Sequence, residues 1–415
     1  MPSLSEKLKS LGVKVGARDL PPPQTRDVYA IDQVLSGSTL LTQLGETYLV
    51  EARYPPDYRH GKRGLPCSAP LQTLAAWAQE QRICEFPLES FAFLDTETTG
   101  LSGGTGTYPF LIGVGRFEGQ EFRLAQFFMR DPLEEPAQLA ALEEFLAPCG
   151  AVVTFNGKSF DVPILNTRFI THGWRTPFLD TAHVDLLHLA RRLWRDRLPS
   201  RTLGSLEYQI LGTMRTEEDV PGWMIPQLYF EYLHSGDARP LVSVFYHNAM
   251  DVLSLAALFS HTAELLADPL AVTVEHGVDL VALAKLFEDM GDLESAVRLY
   301  LVSFERDLPR ENLLEAIHRL ALIHKRQDNL PAAVELWRQA AVYDHIQAHI
   351  ELAKYYEHRL RDYLQALQWT QSAVDLVRIS ALSAFERRQW MDELGHRKER
   401  LQRRLANHNR PGIEA

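Results

Sequence analysis

Asp95 and Glu97 stand two residues apart in the segment FAFLDTET. Side chains two apart on a β-strand leave from the same face, so both carboxylates can serve one site. Phe91 to Leu94 before them is apolar throughout, the pattern of a central strand covered on both faces, and the acids follow at its C-terminal end, where α/β folds place ligands. A DxE pair alone is also what a solvated strand end looks like. Two further acids weigh against that reading. Asp161 stands at a strand-to-helix junction in NGKSFD, with a helix N-cap as its structural alternative. Asp251 lies in the apolar helix FYHNAMDVLSLAALF, whose Phe245, Val252, Leu255 and Leu258 belong in a core, and an ionised acid there needs a partner or a metal.

If the four acids converge, they demand cations. Two like charges about 4 Å apart repel by roughly 4 kcal/mol at an effective dielectric near 20. Two divalent ions would supply the compensating charge, and oxygen ligands without clustered Cys or His favour Mg²⁺ or Mn²⁺ over zinc. A pair of such ions about 3.5 to 4 Å apart clamps the attacking and leaving oxygens of an in-line phosphoryl displacement, which here means cleavage of a phosphodiester. Asp95, Glu97, Asp161 and Asp251 are the expected metal ligands. His247 lies four residues before Asp251, hence on the same helical face. Histidine as a residue type suits general-base work near neutrality. Tyr246 is the alternative base, and structural hydrogen bonding is the alternative for both. Thr96, Asn156, Lys158, Phe160 and Tyr246 are expected around the substrate, Lys158 as a candidate for the scissile phosphate. Asn156 is equally readable as a turn former.

The elements that must position these residues alternate between strand and helix from about Phe91 to Leu266, an α/β or α+β pattern. FAFLDTET, YPFLIGVGRF and EFRLAQFF read as strands, with a hairpin at Glu118 to Gln120. A helix near Glu134 to Leu146, the short strand AVVTF and a helix opening near Pro163 follow. Three strands, a helix, a strand and further helices is the order of a ribonuclease H-like sheet. The last third is helical and repeats: LAKLFEDMGDLESAVRLY, LALIHKRQDNLPAAVELW and LAKYYEHRLRDYLQALQW align, with Ala284, Ala321 and Ala353 at one small position and Ala296, Ala333 and Ala366 at another, 12, 12 and 13 residues on. Units in the thirties with such small positions match tetratricopeptide repeats.

DTETTGL, NGKSFD and HNAMD, in this order, resemble the three exonuclease motifs of the DEDD family on a ribonuclease H-like fold. GGTGTYPFLIGVG, HVDLL, DVPGWMIPQLYFEYL and YHNAMDVLSL narrow the resemblance to the bacterial YprB-type family of ribonuclease H-like proteins with C-terminal tetratricopeptide repeats, over most of the chain. It implies a mixed central sheet flanked by helices, two Mg²⁺ or Mn²⁺ ions and 3′-to-5′ exonuclease activity on single-stranded DNA or RNA. DEDD enzymes carry a Tyr four residues, or a His five residues, before the last Asp; here the two types are exchanged. An endonuclease on the same acids, or an interaction scaffold with a weak nuclease fold, are the competing readings. The repeats are expected to recruit a protein partner.

The expected organisation is an irregular N-terminal segment (1–88) with one strand near Glu46 to Arg53 and a helix near Leu71 to Arg82, a nuclease domain (89–268), the repeats (269–380) and a charged terminal helix (381–415). The formal net charge of −11 is unusual for a nucleic-acid enzyme, since phosphates are held by Lys and Arg. Arg191, Arg192, Arg195, Arg197 and Arg201 form a local basic run that contacts phosphates or lines a solvated helix face. RKERLQRR reads as an exposed charged helix face. Asp185 reads as a helix cap rather than a fifth ligand, and Trp194 and Trp223 as core residues rather than base-stacking ones. Because SGGTGTYP runs from strand to strand, it is read as a mobile wall beside Asp95 and not as a nucleotide cradle. Cys67, Cys84 and Cys149 form no metal or disulfide pattern. With no apolar run of about 18 residues and no apolar leader at the start, a cytoplasmic protein without membrane association is expected.

Overall fold

The computed structural model describes residues 29–100, 106–272 and 274–408. Half of the glycine loop read as a mobile wall, residues 102–105, lies outside them. The chain divides into two compact units. One runs through Pro66 and adds Phe86–His183 and Leu211–Ala257; the other comprises Cys67–Glu85, Val184–Ile210 and the chain from Leu258 onward.

A seven-stranded mixed sheet is built from β1 (Ser38–Thr42), β2 (Gly45–Tyr54), β5 (Phe91–Thr98), β6 (Pro109–Glu118), β7 (Glu121–Phe128), β8 (Ala151–Thr154) and β9 (Ala182–Asp185), in the order β1-β2-β7-β6-β5-β8-β9. The short strands β3 (Arg59–His60) and β4 (Arg63–Gly64) pair separately. From β1 to β5 neighbours are antiparallel, whereas β5 pairs with β8 in parallel. The β6–β7 turn places Gly119 at φ 62°, a left-handed conformation that glycine adopts at no steric cost. The segment before residue 89 is less irregular than its prolines and turns suggest. β1 and β2 form a hairpin that extends the sheet by pairing β2 with β7, and the helix foreseen there is shorter, Gln72–Ala78 followed by a 3₁₀ turn at Gln81–Cys84.

Helix α1 (Glu135–Leu146) and helix α2 (Asp161–Thr171) cover one face of the sheet over a core that includes Leu94, Ile112, Val114, Phe127, Leu142 and Phe169. Next in the chain comes α3 (Leu186–Trp194). Packing against the other face are α4 (Ile225–Ser235) and the first half of α5 (Leu241–Ala267), over Phe110, Phe128, Tyr229 and Phe245. In length and mean hydropathy α5 would suffice to cross a bilayer, contrary to the expectation that no such apolar run is present, but 61% of its most apolar stretch is buried within the protein. Core packing accounts for its composition.

The C-terminal region is helical, with α6 (Gly277–Met290), α7 (Leu293–Ser303), α8 (Arg310–Arg326), α9 (Leu330–Val342), α10 (Ile346–Tyr355), α11 (Tyr363–Ile379) and α12 (Ala384–His408). Three hairpins, α6–α7, α8–α9 and α10–α11, turn by one device: a left-handed residue (Gly291, Asp328, Arg361) is followed by an Asx cap (Asp292, Asn329, Asp362) that accepts an amide of the next helix. All six repeated alanines are fully buried. The third unit carries one extra residue between its small positions, and the chain absorbs it as a π-helical turn at Tyr356–Leu360.

Candidate metal centre

Strand alternation divides the end of β5 between the two layers. Ala92 and Leu94 enter the core shared with α1 and α2, while the Phe93 ring packs edge-on against Phe117 and Phe122 on the α5 side. With a period of two, Asp95 and Glu97 face α5 and Thr96 faces α2. The contacts follow that division. Fully buried Asn248 of α5 donates through Nδ2 to Asp95 Oδ2 at 2.9 Å and to the Asp95 carbonyl at 3.3 Å. Its Oδ1 accepts from Gln126 Nε2 at 2.9 Å. Gly113, the cross-strand partner of Asp95, leaves the space: a side chain there would collide with the Asn248 carboxamide. On the other layer, the Thr96 N–H and Oγ1 donate to Asp161 Oδ1 at 3.0 and 2.6 Å. The cap of α2 falls to Phe160, with Asp161 as its first helical residue. Asp161 is thus tied to the strand rather than occupying the cap position.

Glu97, His247 and Asp251 each offer a ligating atom within 4.8 Å of the other two, the one such group among the described residues. His247 Nε2 lies 3.6 Å from Asp251 Oδ2, and its Nδ1 lies 2.8 Å from Asp219 Oδ1. Arg215 Nη1 also approaches Nδ1, at 3.0 Å. One ring nitrogen cannot both donate to a carboxylate and accept from a guanidinium, so we assign the shorter contact, Nδ1–H to Asp219, as the hydrogen bond. Arg215 ion-pairs with Asp251. Tyr246 turns its hydroxyl to accept the Thr216 N–H at 3.0 Å, which fastens the segment carrying Arg215 and Asp219.

Burial pushes the Asp95 carboxyl well above the usual carboxylate range, and Asp251, Glu97 and Asp161 push it further, against the opposing Asn248 bond. Glu97 is raised by burial and then by Asp251 and Asp161, with Arg215 opposing. One arginine therefore does not balance the negative charge gathered at this strand end. Carboxylate oxygens from several elements, with no thiolate and no cluster of imidazoles, form the donor set of a hard divalent cation, and the acids fit one.

A cavity of about 310 Å³ opens beside the acids, with Thr96, Asn156 and Phe160 among its lining residues. Asn156 stands at φ 68°, so it does form the turn, and it lines the cavity as well. Lys158 is exposed on that turn. The residues that sequence reasoning passed over are Arg215, Asp219 and Gln126, together with Asn248, which was read only as part of HNAMD. Gly113 was the available signal for Asn248, since an interior strand glycine marks close approach by another element. A loop Arg or Asp carries no comparable mark.

The secondary expectations divide. Asp185 caps α3 by accepting the Leu187 N–H at 3.1 Å. In the arginine run, Arg192 pairs with Asp289, Arg197 with Asp279, and Arg201 donates to the Leu198 and Pro199 carbonyls. Those three hold their own unit together, and Arg191 and Arg195 are the exposed members. Trp194 is core, at 2% exposure. Trp223 is not: it is 73% exposed, because it lies in the 3₁₀ turn Gly222–Met224 ahead of α4 and the burial there goes to Ile225 and Tyr229.

Residues 92–263 match the RNase_H superfamily. Over 330 residues the chain is 33% identical to protein YprB of Bacillus subtilis (strain 168), a match covering 77% of this chain and 78% of that protein. Among solved structures it is similar to the family B DNA polymerase from the hyperthermophilic archaeon Pyrobaculum calidifontis, at 15% identity and a TM-score of 0.31, over 57% of this chain and 29% of the polymerase. The chain thus spans less than a third of that polymerase. Taken with the acidic centre at the end of β5, the matches show that the chain belongs to the YprB family and carries an RNase_H superfamily domain.

Proposed function

We propose that this chain is a metal-dependent nuclease that hydrolyses phosphodiester bonds of single-stranded DNA or RNA from the 3′ end. Asp95, Glu97, Asp161 and Asp251 would hold two divalent cations, Mg²⁺ or Mn²⁺. The observation that carries the reading is the gathering of acids from β5, α2 and α5 at one strand end of an RNase_H superfamily domain, where Asp95 and Glu97 are raised by burial and by the neighbouring carboxylates. When bound, the cations would supply Lewis-acid stabilisation of the phosphoryl group and of its attacking and leaving oxygens.

The chain's own groups account for the rest. Asp219, accepting the Nδ1–H of His247, fixes the tautomer that leaves a lone pair on Nε2, the nitrogen beside Asp251. Nε2 takes the proton of the attacking water, and Asp219 stabilises the imidazolium that results. Tyr246, with its hydroxyl engaged at Thr216, serves as a brace. Thr96 holds Asp161, and Asn248 holds Asp95, so the two acids cannot swing apart under their repulsion. Asn156 and Phe160 line the substrate cavity. We read the three C-terminal hairpins as tetratricopeptide-like repeats that bind a protein partner, and place the nuclease domain at 89–268 in a cytoplasmic protein.

The test is end-labelled single-stranded DNA and RNA with Mn²⁺ or Mg²⁺, comparing the wild type with Asp95→Asn and Asp251→Asn. Losing a Lewis-acid interaction of several kcal/mol predicts a fall of about three orders of magnitude in each variant. Stepwise mononucleotide release, with a circular single strand left intact, is expected; cleavage of the circle would make the enzyme an endonuclease. Activity that survives unchanged in both variants overturns the proposal.

A further inference from the structure

A second concavity lies along α4, a groove of about 960 Å³ whose lining includes Trp223, Pro226, Phe230, His234 and Arg239. Two features set it apart from ordinary surface. It displays two large aromatic rings to solvent, Trp223 at 73% exposure on the 3₁₀ turn before α4 and Phe230 at 52% on α4 itself, while Ile225 and Tyr229 of α4 are buried in the core. It also adjoins the acidic cavity. Pro226 lines both hollows, and Gly222, the residue before Trp223, lines the acidic one with its Cβ position 4.0 Å from His247 Nε2.

We propose that this groove is the path of the single strand away from the scissile bond, with Trp223 and Phe230 as stacking platforms for its bases. The inference rests on the nuclease reading and names how that substrate is held. Trp223 and Phe230 are seven positions apart across the 3₁₀ turn and the first turns of α4, which at a rise of about 1.5 to 2 Å per residue sets them roughly 10 to 12 Å apart along the chain direction. That matches about three base rises of 3.4 Å. Stacking suits the groove's charge as well. Glu231 and Asp237 outnumber Arg239 in the lining, Arg239 is paired with Asp237, and its guanidinium lies 4.2 Å over Tyr29. A groove without net positive charge cannot hold a strand by neutralising phosphates, whereas an aromatic face accepts any base. Recognition here is therefore indifferent to sequence and requires unpaired bases.

The experiment measures binding of a fluorescein-labelled twelve-residue oligothymidylate by fluorescence anisotropy in EDTA, which keeps the strand intact. It compares the wild type with Trp223→Ala, Phe230→Ala and Trp223→Phe. Each alanine variant is expected to weaken binding on the order of tenfold, and Trp223→Phe to retain most of the affinity. The wild-type-to-variant ratio should stay constant between about 50 and 200 mM salt, since no phosphate contact is lost. With Mn²⁺ present, the ratio of oligonucleotide cleavage to bis(p-nitrophenyl) phosphate hydrolysis should fall by a similar factor, because the small ester has no base to stack. Unchanged oligonucleotide affinity in both alanine variants overturns the proposal and would leave the groove to a protein segment. Equal losses on both substrates overturn it too, by showing that the residues act through the metal centre. A wild type that binds the strand in a Trp223-dependent way but hydrolyses neither substrate sinks the nuclease reading and leaves the groove assignment standing.

Discussion

Buried acids occur in both units of the molecule, and their surroundings are opposite. In the helical unit, Glu357 of the π-turn is ringed by Arg397, Arg400 and Arg404 of α12, and Glu351 by Lys325 and Lys354; the carboxyls of both are held below their ordinary range. Burial alone would raise them, and cation contacts outweigh it. At the end of β5 the neighbours of Asp95 and Glu97 are mainly other carboxylates, and both are raised. The same residue types thus do two jobs. Where an acid is matched by arginines, the network joins helices; where acids are matched by acids, the fold has accepted repulsion, which is useful only if something positive binds. Glu118, shared by Arg53, Arg116 and Arg123 and lowered to about 2, shows that the first unit also contains an acid matched by arginines.

The comparison can be broken at several points. Glu357→Ala should destabilise the helical unit by about 3 kcal/mol, because buried Arg397 loses its partner, and urea denaturation followed by circular dichroism would read it. A loss below about 0.5 kcal/mol would mean that the arginines find water instead. Asp219 is the mixed case, an acid in the acidic centre that has partners of its own. Asp219→Asn should lower kcat about 10- to 100-fold and alter the pH profile near neutrality, while calorimetric Mn²⁺ affinity stays within a fewfold. If affinity collapses along with kcat, Asp219 supports the ligands and not the histidine.

On stability, as distinct from activity, Asp95→Asn should produce the smallest effect, of opposite sign: a gain of about 1 kcal/mol in EDTA at neutral pH, read by thermal denaturation. A carboxyl whose folded pKa lies above its unfolded one binds more protons when folded. Its penalty is absent at low pH and accumulates as pH rises from the unfolded range near 4 toward the folded pKa. The wild type should therefore lose stability relative to the variant across that window. A midpoint that rises with Mn²⁺ in the wild type and not in Asp95→Asn would complete the argument, and a destabilised variant would mean that the Asn248 bond outweighs the repulsion.

How much of this the sequence disclosed depended on whether a residue's surroundings were local. β5, β6, β7 and β8 were legible because apolar runs and a tight Gly119 turn announce themselves within ten residues. The three hairpins were legible because each unit repeats its buried alanines. The placing of Asp95 and Glu97 followed from strand period alone. The β1–β2 hairpin was harder to read: much of β1 is exposed, and its partner strand gains its place only by pairing with β7, far along the chain. Trp223 was misjudged because an aromatic residue near a helix start says nothing about which side of that start it occupies. Arg215 and Asp219 were invisible for a related reason, since their meaning comes from Tyr246 fastening a loop beside His247.

The division of three consecutive residues, Asp95, Thr96 and Glu97, between two layers sets the order in which the molecule can become competent. Asp161 is recruited only when α2 docks on one face, and Asp251 only when α5 docks on the other. A newly made chain with either helix undocked would hold an incomplete set of acids. The proposed chemistry would then switch on only as folding finishes, which would protect a cell full of nucleic acid from its half-made enzyme.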